Sequence, residues 1–201
     1  MVSKFDICSR SLVELGEDVI SSFTANTDPS KICGLIYPEY IKYLLSIYPW
    51  KFTRKKIQLA RLVTAPVNEY KYAYQLPSDL LILRAVFDSS DTSIAPLQNY
   101  DSFQDEIYTD EETVYIDYQF QPDESEFPSF FIEFVVKALS NKLAMPITDD
   151  RNIAELKKVE AFGSPSDNLN GGEFGVAKRL DSLQNPSPAI QANDLIAARF
   201  S

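Results

Sequence analysis

Two groups of carboxylates are the residues here whose type and spacing could do chemistry. Glu111 and Glu112 are adjacent in an expected turn, and Asp123, Glu124 and Glu126 crowd an expected loop. Paired carboxylates can cleave a glycosidic bond, one serving as acid and the other as nucleophile or base, if the fold fixes their separation. This spacing fixes none, and among 29 acidic residues such neighbours arise by chance. Histidine is absent, which removes Ser-His-Asp and Cys-His nucleophiles and the commonest metal ligand. Cys8 and Cys33 alone cannot build the usual zinc site. Gly171-Gly172-Glu173-Phe174-Gly175 is glycine-rich but lacks the lysine and strand–helix setting of a phosphate loop, so it reads as linker. Asp149 and Asp150 could at most hold a stray cation weakly. The residues therefore predict no enzyme, no catalytic or metal site and no cofactor.

The elements that would position these groups follow from hydrophobic spacing. Phe5, Cys8, Leu12 and Leu15 recur at helical steps, predicting a first helix over 3–15 that stops at Gly16. Asp28 and Pro29 open a second helix as N-cap and first residue. Its expected buried stripe is Cys33, Ile36, Tyr40, Leu44 and Ile47, and Pro49 ends it. From residue 56 the period shifts toward two, predicting an antiparallel sheet of four to six short strands. Residues 113–118 are the clearest strand, and 80–86 reads equally as strand or helical turn. A helix with Phe131, Phe134, Val135, Ala138 and Leu139 on one face returns after Pro128 and is expected to stop at Pro146. Thr148 would cap a last helix carrying Ile153, Leu156 and Val159.

The expected fold is α+β: an α-helical bundle from both ends of the chain, an inserted antiparallel β-rich domain, and an extended C-terminal arm. The divisions are 1–55, 56–122, 123–162 and 163–201. The arm is read from its Gly and Pro content, although Leu180, Leu183, Ile190, Leu195, Ile196 and Phe200 are apolar. It is either a disordered tail or a segment that docks on a neighbour. Cys8 and Cys33 read as buried free thiols, with a disulfide as the other possibility.

Net charge is −10. A chain this acidic is not expected to grip phosphate backbones, though it could let DNA pass. Lys51, Arg54, Lys55, Lys56 and Arg61 cluster, whereas no basic residue lies between Arg84 and Lys137. That acidic stretch includes Asp105, Glu106, Glu111 and Glu112. It is a solvated edge that discourages strand pairing, one half of a subunit contact, or a channel wall. No apolar run reaches the roughly 18–20 residues of a membrane span, and no signal-peptide core opens the chain, so a cytoplasmic origin is expected.

Several phrases, in order, resemble the tail tubular proteins of short-tailed bacteriophages, the adaptor between portal and nozzle. They are Ile7-Cys8-Ser9-Arg10-Ser11-Leu12-Val13-Glu14-Leu15-Gly16 with Ile20-Ser21-Ser22-Phe23; Tyr37-Pro38-Glu39-Tyr40; Pro49-Trp50-Lys51-Phe52; Tyr74-Gln75-Leu76-Pro77-Ser78-Asp79; and Tyr118-Gln119 with Phe127-Pro128 and the Phe-rich helix through Leu143-Ala144. The similarity covers most of the first 160 residues.

The resemblance implies a virion protein assembled in the bacterial host cytoplasm. It would form a homo-oligomeric ring of about twelve copies by heterologous contacts. Its partners would be the portal protein, the nozzle protein and a tail fibre protein, with DNA passing through unbound. Within it, Lys51, Arg54, Lys55, Lys56, Arg61, Asp105, Glu106, Glu111 and Glu112 are the subunit-interface candidates. Leu180, Leu183, Ile190, Leu195, Ile196 and Phe200 would dock on the portal. Trp50, Phe52, Tyr74 and Pro77 would be structural anchors. The alternative is an acidic cytoplasmic protein-binding module or DNA mimic.

Overall fold

A computed structural model describes residues 2–64, 66–91, 95–167 and 170–184. Helix α1 (Lys4–Val13) begins where Ser3 and Asp6 cap each other's backbone amides. Ile7, Cys8, Ser11 and Leu12 form its buried face. Helix α2 (Asp28–Ser46) has Thr27 rather than Asp28 at the N-cap. Its buried stripe is Cys33, Tyr37, Ile41, Leu44 and Leu45, rotated from the expected one. The expected Ile36, Tyr40 and Ile47 only flank the core. Tyr37 turns inward because its hydroxyl has a partner there, donating to Glu124 at 3.2 Å.

Six antiparallel strands follow: β1 (Arg54–Gln58), β2 (Tyr72–Gln75), β3 (Leu80–Phe87), β4 (Asp101–Phe103), β5 (Glu106–Thr109) and β6 (Tyr115–Phe120). They make two three-stranded sheets, ordered β1-β6-β3 and β2-β5-β4, not one. The ambiguous 80–86 segment is strand, paired with β6 through two register irregularities. The chain passes directly from one sheet to the other. Leu59 N–H donates to Val114 O, and Arg61 then bridges Tyr74. Leu59, Tyr74, Leu76, Val86, Ile107, Val114, Ile116 and Tyr118 form a core shared by both sheets.

Helix α3 (Ser129–Thr148) contains ten buried residues, from Phe131 to Ala144. Pro146 does not end it. Proline removes one backbone donor, and the final turn is closed instead by Thr148 Oγ1 donating to Ala144 O and Asp149 N–H to Met145 O. Asp149 takes the left-handed cap at φ 49°, and Asp150, not Thr148, caps helix α4 (Arg151–Phe162). Glu14, Lys137, Lys157 and Glu160 then tie α1, α3 and α4 in one ionic cluster at 2.6–3.4 Å.

The largest departure concerns the expected arm. Helix α5 (Gly172–Leu183) belongs to the helical core, burying Phe174, Ala177 and Asp181. The glycines expected to loosen this region serve close approach instead. Gly172 has φ +57°, and a Cβ there would lie 2.6 Å from Glu160 O. Residues 185–201 lie outside the described residues.

One apolar cluster thus contains residues of α1, α2, α3, α4 and α5. Cys8 and Cys33 sit in it as free thiols. Their mutual hydrogen bond and their burial push the Cys8 thiol far above its ordinary pKa. Among the described residues, no helix is long and apolar enough to cross a membrane.

Candidate assembly interface

The two cores meet at Trp50 and Gln119. Tyr48, Phe131, Phe134 and Phe174 place their rings 4.8–6.1 Å from the Trp50 ring. Trp50 is fully buried, and its Nε1–H donates to Leu44 O at 3.0 Å. Phe52, half-buried, packs on Phe131 at 4.9 Å. Gln119 is the polar counterpart. Its Nε2 reaches Leu45 O at 3.3 Å and Tyr48 O and Thr53 Oγ1 at 3.0 Å, while its Oε1 accepts from Arg84. One amide therefore joins β6 to β3, to the end of α2 and to the 3-10 turn Lys51–Thr53.

The basic candidates follow this junction, and the chain itself engages them. Lys51 N–H donates to the Asp181 carboxylate and Lys51 Nζ to Ser182 O at 2.7 Å, which holds α5. Arg54 pairs with Asp117, and Lys55 pairs with Asp79 at 3.1 Å while lying over the Phe120 ring. Lys56 donates to Ser90 O and covers Phe87, and Arg61 lies over Tyr72. All but Lys51 lie along β1 and its continuation. Each of these five cations thus has an intrachain contact.

The acidic candidates belong to the other sheet. Asp105 lies in the β4–β5 turn, Glu106 opens β5, and Glu111 and Glu112 lie in the loop to β6. Tyr74, buried, donates its hydroxyl to Glu111 O at 2.6 Å, and Tyr72 reaches Glu112 at 3.4 Å. Pro77 starts the turn into β3, with its carbonyl accepting from Leu80 N–H. Asp79 closes that turn. Burial alone would raise its pKa, but hydrogen bonds from Lys55 and Tyr118 lower it on balance. Tyr118 is itself pushed up to about 12 by burial and by Asp79. The structure gathers neither carboxylate group into a metal-holding cluster among the described residues.

Of the portal-docking candidates, Leu180 and Leu183 are on α5, 43% and 76% exposed. Ile190, Leu195, Ile196 and Phe200 lie outside the described residues. The sequence reading passed over Gln119 and Asp181 as positioning residues. The Phe174, Ala177, Asp181 spacing was the available signal, because it puts one aspartate on an apolar helical face.

Asp181 is fully buried, and its carboxylate accepts from the Lys51 amide. Burial raises its pKa against the opposing pull of that amide and the Lys51 charge. A carboxyl raised on folding stabilises most when protonated. That contribution is complete below the unfolded value of about 4 and is lost as pH rises through the folded value. Asp181→Asn keeps an acceptor while removing the buried charge. Thermal scans should show it about 2–4 °C more stable at pH 7, an advantage that shrinks toward pH 4. Equal destabilisation at both pH values would instead assign Asp181 a required negative charge.

No protein-family model and no curated protein matches this chain.

Proposed function

We propose that this protein is a structural subunit of the head-to-tail adaptor of a short-tailed bacteriophage. In this reading the helices act as a bundle that seats on the portal, the β domain faces the tail, and copies close into a ring around the DNA path. The role is assembly rather than catalysis. The chain's net charge of −10 suits a conduit wall that repels passing phosphates.

The observation that carries this reading is the joining of two separate cores at Trp50 and Gln119. Three of the stretches that resemble the tail tubular proteins meet at that joint. Pro49-Trp50-Lys51-Phe52 forms the turn, Tyr118-Gln119 supplies the amide, and the Phe127–Phe131 pair packs on Phe52. Tyr74 through Asp79 anchors the second core and returns to Lys55. A rigid joint of this kind lets a subunit pass a contact on one core to the other.

Native mass and negative-stain images of the concentrated protein, alone and with a purified portal ring, test the reading. The expected result is a ring on the order of twelve copies with an open centre in at least one condition. A monodisperse monomer in both, able to displace a basic protein from DNA, would replace it with the binding-module reading.

A further inference from the structure

Two sulfurs from different helices meet inside the helical core. Cys8 lies on the buried face of α1 and Cys33 on the buried stripe of α2, both at 0% exposure. A single free cysteine in a core is an ordinary small apolar residue. This chain has two cysteines, and folding brings them into hydrogen-bond contact across 24 intervening residues. The thiol proton of Cys8 is directed at Cys33 and holds the Cys33 pKa below its ordinary value, in spite of burial. The thiolate is the form that attacks an oxidant. Neither thiol belongs to a metal-holding group among the described residues.

The cover beside the pair is a loop. Residues 14–27 join α1 to α2 without helix or strand. Phe23 from this loop packs on Phe5 of α1, ring centres 4.8 Å apart, and faces the Tyr37 ring of α2 at 6.3 Å. It seats there because Gly34 has no side chain: a Cβ at Gly34 would lie 3.0 Å from Phe23 Cβ. Gly34 follows Cys33, so Phe23 closes the α1–α2 contact next to the thiols. The loop is fastened to α1 where Ser9 Oγ accepts from Ile20 N–H and donates to Ile20 O.

We propose that Cys8 and Cys33 are a reversible redox pair, in which hydrogen peroxide admitted past Phe23 converts the two thiols to a disulfide that locks α1 to α2. The Cys33 sulfur attacks one peroxide oxygen. The O–O bond breaks, the departing hydroxide takes up the thiol proton as water, and Cys33 becomes a sulfenic acid. The Cys8 sulfur then attacks the Cys33 sulfur. The S–S bond forms, the S–O bond breaks, and the second hydroxide leaves as water with the Cys8 proton. The two thiols give up two electrons and peroxide accepts them. Helix α1 packs mainly on α3, so the tie to α2 adds a constraint that packing supplies only weakly. The lock is independent of what the chain assembles into, and its failure leaves the adaptor reading untouched.

The test treats the reduced, folded full chain with hydrogen peroxide. Free thiols, counted after denaturation, should fall from two to none with the chain still monomeric on a non-reducing gel. A peptide map should join the Cys8 and Cys33 peptides, and dithiothreitol should restore both thiols. Closing a loop of this length should raise the thermal midpoint by about 5–10 °C. Cys8→Ala should stop at a Cys33 sulfenic acid that dimedone traps. Phe23→Ala, if circular dichroism shows it folded, should form the disulfide several-fold faster.

Two thiols that survive peroxide in the folded chain would overturn the pair. So would a disulfide that forms only in denaturant, or one found only between chains. These readouts use the unaltered chain, so an alanine variant that fails to fold does not blunt them. An unchanged rate in folded Phe23→Ala would overturn Phe23 as the gate.

Discussion

Trp50→Ala should cost about 3–5 kcal/mol, the usual range for truncating a large buried aromatic residue. Set against a typical total of roughly 5–15 kcal/mol, that is a large fraction. The loss has two parts. The void left among Tyr48, Phe131, Phe134 and Phe174 removes ring contacts from every side. The Leu44 carbonyl also loses its indole donor. Because Phe174 is how α5 meets this cluster, hydrogen exchange should show Gly172–Leu183 deprotected first. Trp50→Phe, which keeps most of the ring area, should cost less than half as much. Urea unfolding followed by circular dichroism measures both, and a Trp50→Ala loss under about 1 kcal/mol would refute the joint as described.

Gln119→Leu should be nearly as damaging, although it exchanges a polar side chain for an apolar one of similar size in a buried place. Three acceptors and the Arg84 guanidinium depend on that amide. Leaving buried groups without partners costs about 1–3 kcal/mol each, and some will find water here, so the expected loss is about 2–4 kcal/mol. Gln119→Glu should not rescue it, since a carboxylate faces the Leu45 and Tyr48 carbonyls with no donor to offer. Unfolding midpoints for the two variants, compared at pH 7, decide this. Equal stability of Gln119→Leu and the unaltered chain would mean the hub is dispensable.

The helices were the most legible part of the sequence, because apolar spacing over ten or more residues leaves little choice of face. Where the reading slipped, a local rule was overruled by a tertiary partner. Tyr37 turned inward for Glu124, which spacing alone cannot weigh. Pro146 reads as a stop, but a proline in the last turn removes only one hydrogen bond, and the helix runs on to Thr148. Residues 172–183 were read as arm from their glycines, yet Gly172 is what lets α5 approach the α4 carbonyls. The charge clusters were visible as composition. Their use was not, because the partners Asp117 and Asp79 of Arg54 and Lys55 come from distant strands. The exposure of Val63 and Val67 left no periodic trace at all, since an exposed loop valine resembles any other valine in a string.

The single stretch of chain from Trp50 through β1 to Arg61 has a mechanical consequence. Its start is clamped in the helical core, its middle is laddered to β6 from Arg54 to Gln58, and its end is stitched to Tyr74 in the second sheet. A pull applied at Arg61 meets the Tyr74 bridge and the β1–β6 ladder before it reaches the indole. The β1–β6 hydrogen bonds lie across that line of force and must give way together in shear rather than unzip one by one. The helical core is thus the last part of this thread to feel a load applied at the second sheet, shielded by the ladder that lies between them.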